Sequence, residues 1–123
     1  MNIIEITSQN HQEFKGLDVV AFSLAHAGAQ GEGGGINIIT SDGKLYHTNI
    51  VRSIEIGEAF AVLPCLKDCY FHPIHTTVPE GWSHFYMGAG NFIVVREEFK
   101  KLFTSLEPFE IYRQWKDIVS KSL

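Results

Sequence analysis

The stretch "INIITSDGKLYHTNIV" (Ile36–Val51) constrains the fold of this chain more than any other. Asp42-Gly43 is a dipeptide that tolerates positive φ at both positions of a two-residue turn, and it lies between two apolar alternations. A tight hairpin about this turn places Ser41 opposite Lys44, Thr40 opposite Leu45, Ile39 opposite Tyr46 and Ile38 opposite His47. Ile36, Ile38, Leu45 and His47 then share one face of the sheet, and Ile39, Tyr46 and Ile50 the other. An antiparallel hairpin is thus expected over this stretch.

The remaining segments extend this pair into a sheet. "WSHFYM" and "NFIVV" are two further strands joined by "GAG", which predicts a second hairpin. "NIIEI" (Asn2–Ile6) reads as a short first strand, and "SQNHQEFKG" as a polar connection with room for one helical turn. In "LDVVAFSLAHA" (Leu17–Ala27), Val20, Phe22, Leu24 and His26 alternate onto one face, and Val19, Ala21, Ser23 and Ala25 onto the other.

Helices are expected over Ile54–Val62, with Glu55 and Glu58, and from Pro64 to Tyr70, where proline suits a first turn. "REEFKKLFTSL" puts Phe99, Leu102, Phe103 and Leu106 on one helix face. Pro108 opens a last helix with Ile111, Tyr112, Trp115, Ile118 and Val119 inward. The expected fold is α+β over residues 1–123 as a single domain. It is an antiparallel sheet of about five or six strands built from two hairpins, with helices, including two C-terminal ones, packed on one face.

A chain of 123 residues buries enough apolar surface to fold without a disulfide or metal. Its formal charge of −4 is uneven: residues 1–95 hold four Lys/Arg against nine Asp/Glu, and residues 96–123 six against five. The absence of a basic stripe disfavours direct nucleic-acid binding. No apolar run reaches the roughly 20 residues that cross a bilayer, so no membrane association is expected. The first residues show no basic region followed by an apolar one, so no signal peptide is expected. With two cysteines, this points to a cytoplasmic setting.

Three clusters are candidate sites. "CLKDCYFHPIH" brings Cys65, Cys69, His72 and His75 within eleven residues, with His84 as a spare ligand. Thiolate and imidazole suit a tetrahedral zinc ion. Against a metal, His-x2-His is tighter than the common spacing, and Pro73 restricts His72. Free cysteines also pack as small hydrophobes. The glycine loop "GAQGEGGG" lacks the lysine and following helix of a phosphate loop, and its one charge, Glu32, repels phosphate. It reads as a strand connection or as the rim of a binding surface. In "GWSHFYMGAGN", alternation puts Trp82, His84 and Tyr86 on one face and Ser83, Phe85 and Met87 on the other. Trp82, His84, Tyr86 and Asn91 are candidate binding residues, though such aromatics also form the core end of a strand.

No nucleophile elbow, metalloprotease motif or marked catalytic cysteine is present, so an enzyme is not the first expectation. An acid–base pair would need His26, His47 or His84 to converge with Glu32 or Glu80. In size and acidic composition the chain is similar to the bacterial immunity proteins that neutralise toxins. That resemblance implies a protein partner and assigns no residues. The leading expectation is a cofactor-free protein-binding module whose acidic surface, with Glu32, Glu55 and Glu58, meets a basic partner. The alternative is a zinc-stabilised domain or small metal-dependent hydrolase built on Cys65, Cys69, His72 and His75. A homo-oligomer that buries Trp82 is a third.

Overall fold

A computed structural model describes residues 3–25, 35–49, 56–71, 74–88, 91–103, 110 and 114. Six strands form one mixed sheet: β1 (Ile3–Ile6), β2 (Val19–Ala25), β3 (Gly35–Thr40), β4 (Leu45–Asn49), β5 (Trp82–Gly88) and β6 (Asn91–Arg96). Their spatial order is β1-β4-β3-β2-β6-β5, so β1 and β5 are the two edges. Two short α-helices, α1 (Ile56–Val62) and α2 (Glu97–Lys100), and 3-10 turns at His11–Phe14 and Pro64–Asp68 complete an α+β architecture.

The sheet is not wholly antiparallel. β1 runs parallel to β4, with Ile3 beside Leu45 and Glu5 beside His47, while the other four pairings are antiparallel. The central β3–β4 register also differs from the expected one by a residue: Ile39 faces Leu45 and Ile38 faces Tyr46. The cause is local. The Gly43 N–H donates to Thr40 O at 3.0 Å, and the Thr40 N–H donates to Lys44 O at 3.1 Å. Gly43 takes φ 83°. The connection is therefore a three-residue loop, a turn closed by a left-handed glycine. One extra residue in the loop sends Leu45 and Tyr46 to the opposite faces from those expected.

Two apolar clusters show how the faces divide. Phe22, Ile36, Ile38, Tyr46 and Val94 join Ala59, Val62, Leu63 and Leu66 on the first face. Val20, Ala21, Ile39, Leu45, Ile93 and Val95 lie on the second, with Phe99 and Phe103 packed against them. A register shift between Val19 and Ala21 puts Val20 with Ala21 rather than with Phe22, which corrects the expected alternation of that strand.

Helical elements occupy both faces rather than one. α1 and the Pro64–Asp68 turn cover the first face, and Phe99 of α2 with Phe103 covers part of the second. Leu102, expected inward with Phe99, is 43% exposed, because α2 ends at Lys100 and turns. Arg96 fastens this corner. Its Nη1 donates to Asp18 Oδ1 at 2.8 Å, and its guanidinium stands 4.8 Å from the Phe99 ring centroid. Leu106 and the expected last helix from Pro108 lie outside the described residues, apart from helical Glu110 and Gln114. No helix among the described residues is long and apolar enough to cross a membrane.

Candidate functional site

The β5 edge carries one of the exposed large apolar side chains, Tyr86. Strand alternation puts Trp82, His84 and Tyr86 on the first face. Trp82 is half-buried and meets Phe22 edge-on at 5.8 Å, so its ring is the core end of the strand rather than an open platform. His84 is exposed, and Tyr86 is 43% exposed with its ring 5.0 Å from that of Phe92. On the second face, Phe85 is half-buried with Lys100 Nζ 5.5 Å from its ring centre.

A loop beside this edge adds to it. Tyr70 and Thr77 exchange two backbone hydrogen bonds of 2.9 Å, one each way, which closes the segment between them. Phe71 anchors the loop on Phe92 at 5.2 Å, the same ring that Tyr86 touches. With the loop base fixed, Tyr70 is 56% and Ile74 90% exposed, and the His75 ring lies 6.2 Å from that of Tyr70. From Asp68 to Val95 the chain carries Asp68 and Glu80 and no lysine or arginine. Phe92 thus meets both Tyr86 and Phe71, the residue that follows Tyr70, on an acidic segment.

The cysteine cluster is differently placed. Cys65 and Cys69 are free thiols, half-buried against the first-face core. Burial, then the neighbouring Cys69 and Asp68, pushes the Cys65 thiol up to about 12. Burial and Asp68 push that of Cys69 up to about 11. Such surroundings favour the protonated thiol in the metal-free chain. His75 is exposed and His72 lies outside the described residues. Among the described residues no three His, Cys, Asp or Glu side chains gather to hold a metal. Glu32, Glu55 and His26 also lie outside the described residues, and Asn91 is described only by its backbone, paired with Ala25 and Gly88.

Two histidine–carboxylate pairs escaped the sequence reading. His47 Nδ1 lies 2.9 and 3.0 Å from the two carboxylate oxygens of Glu5. His11 Nδ1 lies 3.5 Å from Glu58 Oε2 and 3.0 Å from Ser8 O. Neither pair involves the carboxylates considered for His47, Glu32 and Glu80. Glu5 and His47 become neighbours only through the parallel β1–β4 register, for which the sequence has no local signal. A comparison with known protein families, curated proteins and solved structures finds no match in any of the three.

Proposed function

We propose that this chain is a cytoplasmic protein-binding domain whose β5-side surface, formed by Tyr70, Ile74, His84 and Tyr86, docks a basic protein in the manner of an immunity protein. The observation that carries this reading is the exposure of three large apolar side chains between positions 70 and 86, Ile74 at 90%, Tyr70 at 56% and Tyr86 at 43%. A contiguous exposed apolar patch marks interaction surfaces, and tyrosine supplies contact area with a polar tip. The surrounding segment lacks any lysine or arginine and contains Asp68 and Glu80, so its charge complements a basic partner. Trp82 supports the surface from the core side, while Glu32 and Asn91 are assigned no contact.

The test is site-directed photo-crosslinking from position 74, followed by binding measurements on purified components. The expected result is one basic protein crosslinked at position 74, with affinity at least tenfold weaker after Tyr70→Ser with Ile74→Ser. Crosslinks only to a second copy of this chain, with concentration-dependent sedimentation, would favour a homo-oligomer instead. Unchanged affinity in the double variant would overturn the assignment of this surface.

A further inference from the structure

The second face of the sheet changes character along its strands. One row across it, Leu45, Ile39, Ala21 and Val95, is apolar and buried. The next row on the same face runs Glu5, His47, Asn37 and Ser23 across β1, β4, β3 and β2, each residue directly opposite the next. Four polar side chains at successive register positions form one continuous stripe, and hydrogen bonds join them in two pairs. Glu5 holds His47 at 2.9 Å, and Asn37 Nδ2 donates to Ser23 Oγ at 3.3 Å.

Elementary chemistry orients these groups. An ionised carboxylate has no proton to give, so His47 Nδ1 is the donor to Glu5. In the neutral ring Nε2 then keeps its lone pair and is an acceptor. Asn37 Nδ2 donates one of its two protons to Ser23, and Oδ1 is its acceptor end. Glu5 can accept about four hydrogen bonds, and His47 supplies a single proton to it. With the ring neutral, the row therefore presents a carboxylate, an imidazole nitrogen and an amide oxygen side by side as acceptors.

Two neighbours shape the approach. Gly35 precedes Asn37 by two residues on β3, and a Cβ built there would stand 3.3 Å from His47 Nε2. Position 35 thus puts no side chain of its own against that nitrogen. Ile3 lies two residues before Glu5, on the same face of β1, and is 43% exposed. It offers an apolar surface next to the carboxylate.

From this geometry we propose that the Glu5–His47–Asn37 row binds the guanidinium of an arginine side chain. Guanidinium carries five donors and no acceptor, and its planar fork matches a carboxylate. Its charge complements Glu5, and the methylene stem of the same side chain packs on Ile3. This site is independent of the β5-side surface, because it lies toward the other edge of the sheet and on its other face.

The test is an NMR titration of the 15N-labelled full chain with Nα-acetyl-arginine amide, with Nα-acetyl-citrulline amide as the uncharged isostere. Saturable shifts confined to residues around Glu5, Asn37 and His47 are expected, with citrulline at least tenfold weaker. Glu5→Gln is expected to weaken arginine binding roughly tenfold, as expected for loss of a charge-assisted hydrogen bond. Gly35→Ala, which covers Nε2 and changes no charge, is expected to do the same while spectra away from the row superimpose. The comparison of the two ligands on the unaltered protein needs no variant to fold. Equal shifts from the two ligands, or no localised shifts, would overturn the proposal. Equally tight binding of Nα-acetyl-lysine amide would overturn the guanidinium assignment. Markedly tighter binding of free arginine would overturn a side chain as the source.

Discussion

The Cys69 thiol donates to the carbonyl oxygen of Cys65 at 3.3 Å, across the 3-10 turn at Pro64–Asp68. Burial first, then the neighbouring Cys69 and Asp68, holds Cys65 at about 12, and burial with Asp68 holds Cys69 at about 11, against an ordinary 9.0. A raised thiol value means that the folded chain binds protons the unfolded chain releases. The corresponding stability is fully present below about pH 9 and is lost as pH rises through about 11 and 12. The melting temperature should accordingly fall above pH 9, and the double variant Cys65→Ala with Cys69→Ala should show a shallower fall. Parallel pH profiles for the two proteins would contradict this account.

Elemental mass spectrometry of untagged protein is expected to find zinc well below one equivalent, and a chelator is expected to leave the melt unchanged. Structural zinc contributes folding free energy directly, so its removal would unfold a zinc-stabilised domain. Near-stoichiometric zinc with a chelator-sensitive melt would establish the zinc reading of Cys65, Cys69, His72 and His75.

Two glycines should respond to alanine in opposite directions. Gly43 closes the β3–β4 turn at φ 83°, a conformation that costs a side chain about 1–2 kcal/mol, so Gly43→Ala should destabilise by that amount. Gly57 is exposed near the start of α1 with open space where a Cβ would go. Gly57→Ala should stabilise by roughly 0.5–1 kcal/mol, the usual helix preference for alanine. Urea denaturation of both variants reads the two signs.

Thr48 sits on β4, 1% exposed, and its Oγ1 has no hydrogen-bond partner among the described residues. A buried hydroxyl without a partner costs about 1–3 kcal/mol in desolvation. Thr48→Val, which keeps the shape and removes the oxygen, is expected to raise stability by about 1 kcal/mol. A loss of stability in equilibrium denaturation would show that the hydroxyl is satisfied in solution.

Local residue chemistry determined the positions of the strands and turns. Asp42-Gly43 marks the β3–β4 connection, and alternation in "WSHFYM" assigns Trp82 and Tyr86 to one face and Phe85 to the other. Pro64 at the first turn of a short helical segment is equally local. These signals act over a few residues, through φ preferences and side-chain period, and they can be read without the fold.

Only the tertiary structure decided what depends on register or on partners distant in the chain. One left-handed glycine lengthened the turn by a residue and exchanged the faces of Leu45 and Tyr46, and one bulge moved Val20 away from Phe22. The parallel placement of β1 against β4 brought Glu5 to His47, although 42 positions separate them in the chain. Parallel pairing across such a separation is set by which apolar faces can be buried together, a property of the whole core. No short stretch of residues specifies it.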